Sequence, residues 1–296
     1  MAEQPYVFIT DSDSDLPWQI ADERHIPVIQ MPYAMDGVEY MDENGRKGEE
    51  KQVEFFNKMR AGSVPVTSCL SKINYIEFLE PFLAEGKDIL YVAFSSNMSA
   101  TLNYAREAWD ELRVRYPDRK FVIADTLSIS APMTLLIESA HDLYREGASM
   151  EEVEKWILDN RLRAQAWLTV DDLVYLKRGG RLSPTSAFFG TVLDIKPIIV
   201  MGRGGKMDAA EKTKGRRKAL QTVLERTVEN IGDPKGKTIV IMHADVRDEA
   251  LRLRDRLNEK LPGLKEIRVQ MIGPVIGAHC GPGTLATAFI GKERPV

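Results

Sequence analysis

The chain has 296 residues, a formal net charge of −4, 44% hydrophobic and 28% charged residues. That balance suits a globular protein of one large or two ordinary domains with a substantial core. No apolar run approaches the roughly 20 residues of a membrane span, and two cysteines make no disulfide framework.

The N-terminus "MAEQPYVFIT" lacks the basic region, apolar stretch and cleavage site of a signal peptide, so a cytoplasmic location is expected. Overall acidity argues against a general nucleic-acid binder. Charge is nevertheless segregated: residues 177–218 hold eleven Lys or Arg against three Asp or Glu, a local +8 that leaves −12 elsewhere. Such a segment is either a solvated face or a surface for an anionic partner.

In chain order, "YVFIT" reads as a buried strand and "DSDSDLP" as the turn and helix cap after it. Two extended segments, "IPVIQMPYAM" and "VEYMDENG", are separated by the turn signal "DG". Helices are expected over "EEKQVEFFNKMRAG", with Val53, Phe56 and Met59 at helical spacing, and over "NYIEFLEPFLAEG". "DILYVAF" and "KFVIADT" are strands. Between them "SATLNYAREAWDELRVRYP" places Leu102, Ala105, Trp109 and Leu112 on one helical face. "MTLLIESAHDLYREG" is the next helix, and Ser149 with Glu152 forms a capping box for another.

This alternation implies a mostly parallel sheet with helices on its faces. From residue 164 the pattern changes. "AWLTV", "DIKPIIVMGRGGKMDAAEK", "TIVIMHAD", "EIRVQMIG" and "TLATAFIG" are strands of mixed type, with "GRGGK" as a hairpin turn and two helices interposed. The expected architecture is therefore α/β in two parts: an N-terminal domain over 1–163 and a C-terminal α+β domain over 164–296 with a partly antiparallel sheet.

Five stretches carry the chemistry. "FSSNMSAT" sets Ser95, Ser96, Ser99 and Thr101 before a helix, more hydroxyls than one cap needs. A helix N-terminus with free N–H groups suits an anion, which makes Ser95 or Ser96 a candidate ligand. "VPVTSCLS" repeats the arrangement with Thr67, Ser68 and Ser71, one of them expected to be a cap. "GPVIGAHCGPG" at 273–283 reads as a stiff loop presenting His279. The basic clusters "YLKRGGRLS" and "KTKGRRKAL" lack P-loop spacing and base-stacking aromatics, and so fit electrostatic docking or phosphate contact.

Other readings are weaker. "DSDSD" starts like a calcium loop but lacks the central glycine and distal glutamate. A zinc site from Cys69, Cys280 and His279 has no supporting spacing, and Cys280 with adjacent His279 matches no catalytic signature. Neither a metal nor a cofactor is expected. His25, His141 and His243 carry no motif.

"FITDSDSDLP", "VTSCLS", "FSSNMSAT", "DLVYLKRGGRLS", "DIKPII", "KTKGRRKAL" and "GAHCGPGT" together resemble the DegV family of fatty-acid-binding proteins, over about residues 6–291. The resemblance implies a two-domain α/β fold with a long-chain fatty acid between the domains. It further implies a bacterial carrier, itself no enzyme, that presents the acid to a separate ATP-dependent fatty acid kinase. The product would be an acyl phosphate for phospholipid synthesis, and transient contact with a membrane surface is compatible with that role. The resemblance assigns the carboxylate to Thr67 or Ser68, Ser95 or Ser96, and His279. These are neutral donors, with no lysine or arginine needed in the pocket. Lys177, Arg178 and Arg181 would form the surface near the head group, and charge extends the kinase-contact expectation to Arg216 and Arg217.

The chain departs from the family pattern at Cys69-Leu70, at Asn97, Met98 and Ala100, and in "TLSISAPM". Tunnel shape, and with it chain selectivity, is where it is expected to differ. Two rival functions predict other behaviour. A phosphotransferase or metal-dependent hydrolase using DSDSD would lose turnover on Asp11→Asn, and a nucleic-acid module using residues 203–218 would bind with steep salt dependence.

Overall fold

The computed structural model describes residues 5–181 and 195–295. Leu182 and Ser183 of the basic motif, and Asp194 of "DIKPII", lie outside the described residues. The first half runs β1 (Tyr6–Asp11), α1 (Trp18–Arg24), β2 (Val28–Ile29), β3 (Pro32–Met35), β4 (Val38–Met41), α2 (Glu49–Arg60), β5 (Val66–Thr67) and α3 (Lys72–Ala84). It continues through β6 (Asp88–Ala93), α4 (Thr101–Arg115), β7 (Phe121–Asp125), α5 (Ser130–Arg145) and α6 (Met150–Asn160). The second half begins with β8 (Ala164–Thr169), α7 (Val174–Gly179), β9 (Ile195–Met201), β10 (Met207–Lys214) and α8 (Arg216–Asn230). It ends with β11 (Thr238–His243), α9 (Arg247–Lys260), β12 (Glu266–Met271), α10 (Pro274–Cys280) and β13 (Leu285–Ile290).

Strands β2-β1-β6-β7, in that spatial order, make a wholly parallel sheet. Its period-2 pattern feeds two cores. Leu90 and Val92 of β6 pack under α5 and α6, while Ile89, Tyr91 and Ala93 face α3 and α4. The second sheet, β10-β9-β8-β13-β11-β12, is antiparallel except for the β11–β12 pair. A third, small antiparallel sheet, β4-β3-β5, turns through Asp36-Gly37, both at positive φ as a tight hairpin requires.

The second sheet has one face for helices and one for the space between the halves. Leu285 and Phe289 of β13 join the core with α8 and α9. Ala286 and Ala288, with Ala166 and Leu168 of β8, point to the other side. There they meet Phe55, Phe56 and Met59 of α2 and Leu135 of α5. The halves thus interleave: α5 of the first packs on β8 and β13 of the second, and α10 returns to α2 and β3. Gly277 permits that return, because a Cβ there would sit 2.9 Å from the Phe56 ring.

Two local expectations change, for the His279 segment and for "DSDSD". "GPVIGAHC" is mostly helix, with Pro274 at its start, where a missing N–H costs nothing. Residues 174–179 of the basic motif also form a helix. "DSDSD" ends a strand but caps no helix: residues 12–14 form a 3-10 turn, and α1 starts four residues later without a side-chain cap. Among the described residues no helix is long and apolar enough to cross a membrane.

Candidate functional site

A cavity of about 1090 Å³, counted with its open mouth, lies between the sheets. Its floor is Ala166, Leu168, Ala286 and Ala288, and the three alanines leave room above the second sheet. Met31, Met98, Met207 and Met242 contribute flexible walls able to follow an irregular guest. Phe94, Ile129, Leu176 and Ile276 add to a mainly apolar lining.

Polar groups on the wall are few. They include Thr67, Ser68, Ser99, Thr101, Arg181, His279 and Asp13. Thr67 is held by the β3–β5 pairing, opposite Tyr33. His279 comes from the last turn of α10, and its Nε2 shares a 2.9 Å hydrogen bond with Thr67 Oγ1. Burial, with the Arg181 guanidinium second, pulls the imidazole down to about 4, so it is neutral near pH 7. Its Nδ1 has no hydrogen-bond partner among the described residues. Ser68 and Cys69 are exposed as well as on the wall, which places them at the mouth.

The remaining candidates are distributed differently. Ser71 is the cap in the first hydroxyl cluster, in a reciprocal box with Asn74, which leaves Thr67 and Ser68 uncommitted to capping. In the second cluster the cavity wall takes Ser99 and Thr101. Ser95 and Ser96 stand off it: Ser95 donates to the Gly205 carbonyl at 2.7 Å and Ser96 to Asp125 at 2.6 Å. Their hydroxyls tie the β9–β10 turn and the end of β7 to this loop, a task the bare sequence does not distinguish from ligand contact. Asn97 reinforces it by donating to the Gly204 carbonyl at 2.8 Å.

The basic residues separate too. Lys177 and Arg178 are exposed on α7. After α7 the chain turns at Gly180, with φ 64°, and Arg181 comes onto the cavity wall. Arg181, expected near the head group, thus adds a charged side chain to a wall for which neutral donors were expected to suffice. The Arg216 guanidinium bonds to Glu249 at 3.0 and 2.6 Å. Arg217 is exposed.

Four acids are buried, Asp11, Asp13, Asp15 and Asp42, and of these Asp13 lines the cavity. Asp11 accepts from the Tyr91 hydroxyl at 2.7 Å and the Phe94 N–H at 3.1 Å. Asp15 accepts from the Gly273 N–H at 2.8 Å and from Ser130. Asp42 accepts from the N–H groups of Asn44 at 3.0 Å and Val275 at 3.2 Å. Burial is the main cause lifting all three, Asp11 and Asp42 to about 6 and Asp15 to about 8. Among the described residues no cluster of three or more His, Cys, Asp or Glu is arranged to hold a metal ion. Cys280 is buried, its thiol pushed up to about 12, and so is a poor nucleophile.

Arg294 is a further residue that no motif announced. It is 1% exposed and donates to the carbonyls of Leu127 (2.7 Å), Ala164 (2.9 Å) and Gly202 (3.0 Å) and to Ser128 Oγ (2.6 Å). It thereby fixes the loop that delivers Ile129 and Ser130 to the cavity. Some of the residues that depart from the family pattern lie here: Cys69, Met98 and Ile129 to Pro132 line the wall, whereas Leu70, Asn97 and Ala100 do not.

Comparison with known proteins agrees with this architecture. A DegV domain-containing protein from Clostridium perfringens is 36% identical over 289 residues, covering 98% of each chain. The structure of a DegV family protein from Thermus thermophilus, described for its fatty acid binding, superposes with a TM-score of 0.84 at 27% identity. That match covers 97% of this chain and all of that one. A fatty acid binding DegV family protein from Streptococcus agalactiae gives 0.84 at 26% identity over 98% of this chain and all of its own. Residues 6–292 match the sequence profile described as uncharacterised protein, DegV family, and the chain belongs to that family.

Proposed function

We propose that this chain binds a long-chain fatty acid in the cavity between its sheets and presents the carboxylate to a separate ATP-dependent kinase. The observation that carries the reading is a mainly apolar cavity whose polar groups include Thr67, Ser68, Arg181 and His279. Each buried methylene contributes about 0.8 kcal/mol, so a long tail supplies on the order of 10 kcal/mol gross. Association entropy removes part of it.

A buried carboxylate is costly unless its oxygens are hydrogen-bonded. Hydroxyls of Thr67 and Ser68, the neutral imidazole of His279 and the guanidinium of Arg181 are the donors assigned here. Arg181 gives the site one fixed positive charge, which hydroxyls alone would not. The fatty acid binding described for the Thermus and Streptococcus relatives supports the ligand class.

Presentation to a kinase rests on charge. Lys177 and Arg178 are exposed four and three residues before Arg181, so a basic surface borders the head-group end. In this reading the partner's ATP site supplies the electrostatics of phosphoryl transfer, and this chain supplies a positioned carboxylate. The lipid half is tested by extracting the purified protein with organic solvent and identifying the extract by mass spectrometry. The kinase half is tested by acyl phosphate formation from the loaded protein, ATP and a fatty acid kinase.

A further inference from the structure

Asp13 differs from the other three buried acids. Asp11, Asp15 and Asp42 each accept hydrogen bonds from internal donors and none of the three lines the cavity, although Asp11 Oδ1 is likewise without a partner among the described residues. Asp13 is 5% exposed, lies on the cavity wall, and its Oδ1 has no hydrogen-bond partner among the described residues. A buried carboxyl oxygen without a partner is expensive, so its position on the wall of an open cavity points to a guest. Among the described residues no hydrogen bond from Thr67, His279 or Arg181 reaches Asp13: Thr67 and His279 Nε2 share their bond, and Arg181 donates to the Gly179 carbonyl at 2.6 Å.

We infer that Asp13 is a proton-bearing ligand for the bound carboxylate, the two carboxyl groups sharing one proton in an O–H···O⁻ hydrogen bond. This rests on the lipid reading above and deepens it. The proton belongs on Asp13 for electrostatic reasons. Its surroundings hold Asp11 and Asp15 on its own segment and Asp42 after β4, against the single guanidinium of Arg181 and the neutral His279 and Cys280 of α10. Burial first, then Asp11, Asp42 and Asp15, raises Asp13 well above the ordinary carboxylate range, and Arg181 opposes this only in part. An incoming anion strengthens the same preference, as two adjacent carboxylates cannot both stay ionised cheaply. The guest recognised is thus specifically one with an anionic acceptor of carboxylate size.

The test is a stearate titration, read by displacement of a fluorescent fatty acid, on wild type, Asp13→Asn and Asp13→Ala between pH 6 and 10. Asparagine keeps an N–H donor without a titrating proton, so its affinity stays within about threefold of wild type at pH 6 and does not follow the wild-type pH profile. Wild-type affinity falls as pH rises and Asp13 ionises, approaching tenfold per pH unit on the steep limb. Alanine loses at least about tenfold at pH 6. Asp15, at about 8, titrates between pH 6 and 10, so the difference between wild type and Asp13→Asn is the quantity that counts. Superimposable profiles for those two, or an alanine variant within twofold of wild type, would overturn the inference while leaving lipid binding intact. A wild-type protein that binds no stearate at any pH would overturn the lipid reading and this inference together. If neither variant folds, a wild-type affinity that is flat from pH 6 to 10 contradicts the proposal.

Discussion

Thr67 Oγ1 and His279 Nε2 lie 2.9 Å apart although 212 positions separate them in the chain. The bond joins β5 of the small sheet to α10 at the cavity wall, and with a neutral imidazole it leaves the pair one donor for an incoming carboxylate: the Thr67 hydroxyl if Nε2 donates, or Nδ1–H if Thr67 donates. We expect His279→Ala and Thr67→Val each to weaken fatty acid binding about tenfold, in line with hydrogen bonds to a charged group. The double variant should lose less than the product of the two, because the residues share one network. Displacement titrations, with thermal melts as a folding control, measure this.

Ser95→Ala has a different expected outcome. Its hydroxyl serves the Gly205 carbonyl, so the variant should lose about 1 kcal/mol of stability and keep fatty acid affinity within threefold. A urea titration and a binding titration on the same sample separate the two effects. A tenfold loss of affinity with unchanged stability would return Ser95 to the head-group set.

Stability should depend on pH with a sign set by the buried acids. Asp15 is raised to about 8, and a carboxyl raised on folding stabilises fully below its unfolded value, then loses that contribution as pH climbs through its folded value. His141 and His279, both lowered to about 4, act oppositely, but only between about 4 and their ordinary 6.5. Between pH 6.5 and 8, therefore, stability should fall with rising pH, by at most about 1.4 kcal/mol per unit for each proton involved. Asp15→Asn should flatten the slope, as read from unfolding titrations at a series of pH values.

Chain selectivity should follow the cavity floor. Ala288 is 1% exposed and faces the cavity from β13. Leucine there adds about three carbons of bulk, each methylene worth about 0.8 kcal/mol of lost tail burial. The acid recovered with Ala288→Leu should be shorter by about two to three carbons, a difference mass spectrometry resolves directly.

Arg178→Glu should leave lipid affinity within twofold and reduce acyl phosphate formation by the partner kinase at least about tenfold. Arg181→Ala should weaken both, because Arg181 stands on the cavity wall and Arg178 does not. Parallel binding and phosphorylation assays distinguish a docking residue from a head-group residue.

Much of the fold was legible because its signals are periodic. The alternation in "DILYVAF" puts Leu90 and Val92 on one side of the sheet and Ile89, Tyr91 and Ala93 on the other, and both sides are covered by helices. The capping box at Ser149 and Glu152 is present as read. Short elements were not legible: α10 has seven residues bounded by glycines, too few for a period to emerge, and its Gly277 answers to Phe56 on a distant helix. In a run such as "FSSNMSAT" the backbone is irregular, so spacing cannot tell which hydroxyl reaches a cavity. The structure sends Ser99 and Thr101 there and gives Ser95 and Ser96 internal partners. Asp13 and Arg294 escaped for a common reason, since charged side chains are ordinarily exposed and only tertiary packing reveals these two as buried.

Quantitative mass spectrometry of lipids extracted from the purified, undelipidated protein is the most direct test of a tail-filled cavity. About one long-chain fatty acid per chain is the expected result. Protein that yields no fatty acid, and takes up none when stearate is added, would contradict the lipid-binding account.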